Sequence, residues 1–153
     1  MREIIIENQD EKEPEESLYE RRAHYYETDQ MGIIHHSNYI RWFEEARMNF
    51  MEEIGYSYAN VEALGIMIPV LSASCDYKTM VHYNDIVDIY TKITRFNGVK
   101  MFLSYRVMDH ETGELRCSGE TSHCFLDKEY KPIRMKRSYP ELYEILMSHV
   151  AVE

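Results

Sequence analysis

The segment YYETDQMGIIHHSNY, at residues 25–39, carries the residue types with the most capacity for chemistry. It places two carboxylates and two histidines on either side of a glycine, directly before a predicted helix: Glu27, Asp29, Gly32, His35 and His36. The first turn of a helix offers unpaired N–H groups and the positive end of the helix dipole, which can hold a developing oxyanion. A carboxylate beside it can act as a base or as a nucleophile toward a carbonyl carbon. The segment therefore has the parts for acyl-group chemistry without a metal or a cofactor.

The same residues also have simpler uses. Asp29 stands before a glycine turn, and an aspartate in that position commonly serves to cap the turn. His35 and His36 are adjacent, so their rings would point apart in a strand or a helix, and no third ligand stands at a recognisable spacing for a metal. Ser37 lacks the G-x-S-x-G context of a serine nucleophile, and helix capping explains it better. We therefore expect no metal site.

A long helix is predicted directly after the two histidines, over SNYIRWFEEARMNFMEEIGY. Ser37 or Asn38 can cap its start, and Gly55 is expected to end it. One apolar stripe recurs along it at helical spacing: Tyr39, Phe43, Ala46, Phe50 and Ile54. Residues 18–26, before the glycine turn, are predicted as a strand, and residues 56–69, after the helix, as a loop.

The second half of the chain changes to the alternating period of strands. Segments 87–93 and 99–107 flank the hairpin signal Asn97-Gly98, and a second turn at 111–114 leads to a third segment at 115–125. These segments predict an antiparallel meander, with a less regular strand before it at 72–83. The S-x-x-E spacing of Ser138 and Glu141 predicts a capped helix at about 140–149. The expected class is α+β, with two layers.

Composition sets limits on the partners and on the location of the protein. The chain has 153 residues with 17 basic and 27 acidic side chains, a net charge of −10 that disfavours nucleic acids and anionic membranes. Residues 1–20 hold eight acidic and two basic residues, so we expect residues 1–17 to be an acidic, flexible N-terminal extension and residues 18–153 to form one domain. No apolar run is long enough for export or for a membrane span. Cys75, Cys117 and Cys124 fit neither a disulfide framework nor a metal site, so we expect a cytoplasmic protein.

The sequence YYETDQMGIIHHSNYIRWFEEAR resembles the signature of the hotdog-fold acyl-CoA thioesterases of the 4-hydroxybenzoyl-CoA thioesterase type. The similarity covers roughly residues 18–146 and extends through YNDIVDIYTKI and CFLDKEYKPIRM. It implies a hotdog fold, in which an antiparallel β-sheet wraps around a long central helix. It also implies hydrolysis of an acyl-CoA thioester to a carboxylic acid and free CoA, with no cofactor.

The resemblance assigns roles to particular residues. Asp29 matches the catalytic carboxylate of the family, either as a nucleophile that gives a mixed anhydride or as a general base on water. His36 matches a histidine that positions water or substrate. Tyr25 matches a tyrosine used in some members, and period-2 alternation places it on the same face as Asp29. The expected oxyanion donors are backbone N–H groups at the start of the helix: Gly32, Ile33 and Ile34. The sequence departs from the common pattern at Glu27, where many members have Asp, and at His35, where many have an aromatic residue.

A binder of coenzyme A needs positive charge for the phosphates. The segment DKEYKPIRMKR, at residues 127–137, has a local charge of +3, and its candidate CoA ligands are Lys131, Arg134, Lys136 and Arg137. The alternative is a solvated strand end. Arg95 and Lys100, near the hairpin, are weaker candidates.

The resemblance also implies an assembly, since members of the family form dimers whose sheets join edge to edge with the site at the boundary. We therefore expect a homodimer as the minimum unit and a homotetramer as the full assembly. Acyl-CoA is the expected substrate, and neither nucleic acid nor membrane is an expected partner. The alternatives are an acyl-ACP thioesterase, a hotdog dehydratase or hydratase, and a non-catalytic acyl-CoA-binding module.

Overall fold

The computed structural model describes residues 16–151, which form a five-stranded antiparallel sheet with one long helix packed against it. In chain order the elements are β1 Ser17–Arg22, α1 Ser37–Glu53, α2 Tyr58–Ala63, β2 Val70–Tyr77, β3 Ile86–Phe96, β4 Lys100–Asp109, β5 Leu115–Cys124, α3 Met135–Ser138 and α4 Pro140–Ser148. The strand order is β1-β3-β4-β5-β2, so β1 and β2 form the two edges of the sheet. The predicted α+β class, with a sheet around a long central helix, is confirmed.

The apolar stripe of α1 faces the sheet as the helical spacing predicts. Tyr39, Phe43, Ala46 and Phe50 are buried, and Ile54 at the end of the stripe is half-buried. The Phe43 ring stacks on Tyr105 of β4 at 4.3 Å between centroids. This contact needs a glycine on the neighbouring strand, because any side chain at position 119 would overlap the Phe43 ring.

The predicted meander is also present, and its turns fix the register of the strands. Phe96 pairs with Met101 across the first hairpin, where Gly98 has a φ of +84°. In β5, alternate residues are buried from Cys117 to His123, as expected of a strand with one face toward the core. The predicted strand at 72–83 is shorter and begins earlier, at Val70–Tyr77. It ends there because the next two amides, of Lys78 and Thr79, both bond to the Arg116 carbonyl.

The first predicted strand ends earlier than expected. It stops at Arg22, and a 3₁₀ turn follows at Tyr25–Glu27. This turn forms because the Glu27 carboxylate accepts a hydrogen bond from the His24 amide at 2.8 Å, while the Glu27 amide donates to the His24 carbonyl. The strand also begins before the predicted domain boundary, since Ser17 lies in β1 and Glu16 is buried. The rest of the predicted flexible extension, residues 1–15, lies outside the described residues.

Two helix caps differ from the predictions, and one helix was not predicted. Neither Ser37 nor Asn38 caps α1, because Nδ1 of His35 accepts the Ser37 amide at 3.2 Å instead. Ser138 does not cap α4, because it is the last residue of the short helix α3 and Tyr139 takes the capping position. The predicted loop after α1 contains the additional helix α2.

Among the described helices, none is long and apolar enough to span a membrane.

Candidate active site

A buried carboxylate joins β1, the 3₁₀ turn and α1. Glu27 is 4% exposed. Its Oε1 accepts hydrogen bonds from Nη1 of Arg21 at 2.6 Å and from the His24 amide at 2.8 Å, and its Oε2 accepts from Nε1 of Trp42 at 2.8 Å. Burial alone would raise the pKa of Glu27, but these donors outweigh it and hold the pKa below its usual value. The two carboxylate oxygens therefore have their partners within the protein.

The backbone of Glu27 also fixes the start of α1. Its carbonyl oxygen accepts the His35 amide at 2.8 Å and Nδ2 of Asn38 at 2.9 Å. A single residue thus ties the strand, the turn and the first turn of the helix together. The segment that carries Asp29 is held between these fixed points.

Asp29 begins a tight turn that returns the chain to the helix. Its amide donates to the Ile33 carbonyl at 2.8 Å, and Gly32 closes the turn with a φ of +80°, a conformation that favours glycine. The Oδ1 atom of Asp29 accepts the Met31 amide at 2.7 Å. Turn capping, the simpler use of Asp29, is therefore present for one oxygen. The other, Oδ2, has no hydrogen-bond partner within residues 16–151.

Asp29 and His36 line the same cavity, which has a volume of about 250 Å³. Its other walls come from the turn, from α1 and from the segment after β2: Met31, Ile33, Ile34, Tyr39, Tyr77, Lys78, Thr79 and Met80. The Tyr77 hydroxyl donates to the His36 carbonyl at 3.0 Å, and the two rings meet edge to face. Tyr77 belongs to the edge strand β2, so its place in the cavity was not evident from the sequence.

The two adjacent histidines do not point apart. Their rings stack at 4.1 Å, because they lie in the turn before α1 rather than in a regular strand or helix. His35 is engaged with the start of the helix, with Nδ1 also 2.8 Å from the Ser37 hydroxyl. His36 is the member of the pair that reaches the cavity.

Tyr25 is not brought to the Asp29 cavity. Its side chain is 75% exposed and packs edge-on against Tyr83 at 5.6 Å. The period-2 argument fails here, because the strand has ended at Arg22 and the 3₁₀ turn changes the direction of the side chain.

The predicted oxyanion donors are mostly engaged. The Gly32 amide bonds to the Asp29 carbonyl at 3.1 Å, and the Ile34 amide bonds to the Val81 carbonyl at 2.8 Å. Both are therefore unsuitable as donors to a ligand. In the described part of the chain, the amides of Ile33 and His36 have no acceptor, and both residues line the cavity. Of the three predicted donors, Ile33 remains, and His36 is an additional one.

The predicted CoA ligands lie elsewhere on the molecule. Arg134, Lys136 and Arg137 line a groove of about 530 Å³ beside the β3–β4 hairpin, which we call the basic groove. Lys131 lies outside it and forms an exposed ion pair with Glu129 at 3.5 Å. The weaker candidates, Arg95 and Lys100, line a cavity of about 480 Å³ on the same hairpin.

The Asp29 cavity and the basic groove are at opposite ends of the sheet. The cavity lies near the start of β3, where the Ala23 amide bonds to the Asp85 carbonyl, and the groove lies at the end of β3. β3 has 11 residues, which corresponds to roughly 33 Å at the rise of an extended strand. One protomer alone does not bring the two together.

A long helix against an antiparallel sheet of this strand order is the hotdog arrangement, and a half-exposed carboxylate beside the helix start suits hydrolysis of an acyl group. The sequence profile of the Thioesterase-like superfamily matches residues 24–145. The chain belongs to this superfamily, and with it to the hydrolases that act on thioester bonds. The predicted family and enzyme class are confirmed.

The most similar proteins found include both sequences and solved structures. The putative acyl-CoA thioesterase YneP of Bacillus subtilis is 35% identical over 126 residues, which cover 82% of this chain and 91% of that protein. The crystal structure of a DHNA-CoA thioesterase from Staphylococcus aureus superposes with a TM-score of 0.83 at 34% identity, over 87% of this chain and 89% of that one. The acyl-CoA thioester hydrolase YbgC of Escherichia coli is 23% identical, over 76% of this chain and 87% of that protein.

Proposed function

We propose that the protein is an acyl-CoA thioesterase, which hydrolyses an acyl-CoA thioester to a carboxylic acid and free CoA. The observation that carries this proposal is the shared cavity of Asp29 and His36 at the start of α1, with a carboxylate oxygen that has no hydrogen-bond partner among residues 16–151. The names of the relatives, which include acyl-CoA thioesterases, support the same substrate class.

Asp29 drives the reaction in one of two ways. As a nucleophile, Oδ2 attacks the carbonyl carbon, the C–S bond breaks, CoA leaves as the thiol after taking a proton, and water then hydrolyses the mixed anhydride. As a general base, Oδ2 takes a proton from a water that attacks the carbonyl, and the C–S bond breaks in the same way. In both mechanisms, the oxyanion that forms from the thioester carbonyl is stabilised by the amides of Ile33 and His36 and by the dipole of α1. The His36 side chain positions water or substrate.

A homodimer would bring the CoA ligands to the reacting carbonyl. In the described part of the chain, β2 pairs only with β5, and it has exposed apolar side chains, Val70 at 49% and Leu71 at 50%. An exposed edge of this kind favours strand pairing between subunits. A two-fold pair of β2 strands is antiparallel, so the Val70 end of one protomer would lie beside the Tyr77 end of the other. The basic groove lies at the Val70 end of the sheet, so each groove would approach the Asp29 cavity of the partner. A tetramer would pair two such dimers.

Hydrolysis across a panel of acyl-CoA thioesters tests the proposed function. Released CoA is measured with a thiol reagent and the released acid by chromatography, and we expect equal amounts of both. Acyl-CoA that binds without any release of thiol over the whole panel would show a binding module instead. A parallel series with acyl-ACP substrates distinguishes the two carriers. Light scattering measures the oligomeric state of the protein.

The basic groove has a matched pair of variants. Arg137→Ala removes a cation from the groove, and we expect KM for acyl-CoA to rise about tenfold, because charge-assisted contacts to phosphate contribute on the order of 1.5 kcal/mol each. Lys131→Ala removes the same charge from a residue outside the groove, and its KM should stay near the wild-type value. A KM for Arg137→Ala equal to the wild-type value would remove Arg137 from the CoA site.

A further inference from the structure

Two of the three free cysteines lie side by side on neighbouring strands. Sγ of Cys117, on β5, is 3.8 Å from Sγ of Cys75, on the edge strand β2, and the Cys117 thiol donates to that sulfur. Cys117 is fully buried in the core, and Cys75 is half-buried against it. The third cysteine, Cys124, is also half-buried but lies at the far end of β5. The protein therefore contains one close pair of thiols and one separate thiol.

The register of the two strands explains why the two sulfurs meet. Cys75 is opposite Gly119, and Tyr77 is opposite Cys117, so the two cysteines are diagonal neighbours across β2 and β5. Residues two apart on a strand share a face, and diagonal neighbours on one face are within reach of each other. Because Gly119 has no side chain, the position directly opposite Cys75 leaves room for the Cys117 sulfur.

The two sulfurs differ in how readily they ionise. A hydrogen bond from the Cys117 thiol lowers the pKa of Cys75, whereas the same bond, and then burial, raises the pKa of Cys117. The thiolate is the form of cysteine that reacts with oxidants. Cys75 is therefore the sulfur that reacts first, and Cys117 lies beside it as a second thiol that can resolve the product.

We propose that Cys75 and Cys117 form an oxidation site, at which a peroxide produces a reversible disulfide between β2 and β5, and that this bond slows hydrolysis at the Asp29 cavity. The second part of the proposal rests on the proposed thioesterase function, and the first part does not. Where disulfides occur in a reducing environment, they are usually transient and redox-sensing.

The reaction has two steps. The Cys75 thiolate attacks one oxygen of hydrogen peroxide, the O–O bond breaks, and hydroxide leaves, so that Cys75 becomes a sulfenic acid. The Cys117 sulfur then attacks the Cys75 sulfur, the S–O bond breaks, and the departing hydroxide takes the Cys117 proton to form water. The two thiols are oxidised to one disulfide, and the peroxide is reduced to water.

The disulfide would affect the Asp29 cavity through Tyr77. A disulfide holds its sulfurs about 2 Å apart, so the two sulfurs must approach each other by roughly 1.8 Å. The edge strand β2 can make this movement, because within residues 16–151 it pairs only with β5. Tyr77 is two residues from Cys75 on β2, lines the cavity and donates to the His36 carbonyl at 3.0 Å. A shift of β2 therefore disturbs the residues that position the reacting carbonyl.

Mass spectrometry of the peroxide-treated protein tests the disulfide. After alkylation of the remaining thiols in denaturant, the wild type should have lost the mass of two hydrogens and should yield a peptide pair that joins Cys75 to Cys117. Cys124→Ser is the matched control and should form the same pair. Cys75→Ser should keep Cys117 as a thiol. In Cys117→Ser the sulfenic acid has no resolving thiol, so Cys75 should gain further oxygen atoms instead.

The effect on hydrolysis is measured as released acid by chromatography, after catalase has removed the peroxide. We expect the rates of the wild type and of Cys124→Ser to fall about tenfold and to recover with dithiothreitol, because small displacements at a reacting centre reduce rates strongly. Cys75→Ser should keep its own untreated rate after the same treatment.

The possible results separate the two parts of the proposal. Absence of the Cys75–Cys117 peptide pair, or a link between two protomers on a non-reducing gel, would overturn the oxidation site. A complete disulfide with an unchanged rate of acid release would overturn its effect on the cavity. If the untreated protein hydrolyses no acyl-CoA, the thioesterase function fails and the effect on the cavity fails with it, while the mass measurement still decides the oxidation site.

Discussion

Glu27 and Asp29 are two carboxylates that stand two residues apart, and the protein uses them in opposite ways. Glu27 is buried, and both of its oxygens are occupied by donors from Arg21, His24 and Trp42. Asp29 is half-exposed, with one oxygen bound to the Met31 amide and the other open to a cavity. The first carboxylate fixes the geometry of the second.

This difference shows that a carboxylate can take part in a reaction only if one of its oxygens is not already bound within the protein. A buried carboxylate whose two oxygens both accept hydrogen bonds inside the protein is not available to a substrate. Asp29 keeps a free oxygen only because the Glu27 cluster, and not Asp29 itself, holds the strand, the turn and the helix together. A substitution at Glu27 should therefore change mainly the stability of the protein, and a substitution at Asp29 should change mainly its activity.

Asp29→Asn is expected to have the largest effect. The amide keeps the size of the side chain, and its oxygen can still accept the Met31 amide, so the free energy of unfolding should change by less than about 0.5 kcal/mol. The free oxygen is replaced by an NH₂ group that is neither base nor nucleophile, so kcat should fall about 10³-fold. Thiol release and thermal unfolding, measured on the same sample, check both. A variant with lost activity and a lowered Tm would place Asp29 among the structural residues.

Glu27→Gln should have the opposite result. Its NH₂ group must face Arg21 or Trp42, both of which are donors, so a buried hydrogen bond is lost and a buried charge is removed. We expect a loss of about 3 kcal/mol in the free energy of unfolding, measured by urea denaturation. Arg21 keeps its second partner, Glu45, at 2.8 Å. The fraction that remains folded should hydrolyse thioesters far faster than Asp29→Asn.

The pH dependence of stability is the control for Glu27. Its pKa in the folded protein lies below the ordinary value of 4.5, so its contribution is fully present above that pH and is lost as the pH falls through the folded pKa. Over this range the wild type should lose stability relative to Glu27→Gln, and the two unfolding curves should converge. Parallel curves would mean that the Glu27 carboxylate contributes no stability.

Much of the fold was predictable from local pattern. The α1 stripe and the three strands of the meander follow from residue spacing, and the hairpin follows from Asn97-Gly98, whose glycine has the positive φ that such a turn needs. Clustered charge in the sequence also indicated the basic groove. These features depend on neighbours within a few residues, so one sequence is enough to find them.

The features that were not predicted depend on contacts between distant parts of the chain. The 3₁₀ turn at Tyr25–Glu27 is closed locally by the His24 backbone, but the Glu27 carboxylate that closes it is fixed by Arg21 and by Trp42 on α1. The use of the Ile34 amide depends on Val81, far along the chain. The amide donors of the site were therefore only partly identified. Arg47 was visible in the sequence as an ordinary polar residue of the helix, and only packing showed that it is buried and donates to the Tyr105 hydroxyl.

Formate rescue of Asp29→Ala tests most directly whether the Asp29 carboxylate takes part in the reaction. The truncated side chain leaves room in a cavity of about 250 Å³ for a small carboxylate, whereas Asp29→Asn fills that space. We predict that the rate of thiol release by Asp29→Ala rises with formate concentration, and that Asp29→Asn does not respond. Hydrolysis by Asp29→Ala at the wild-type rate without formate would contradict a chemical role for Asp29.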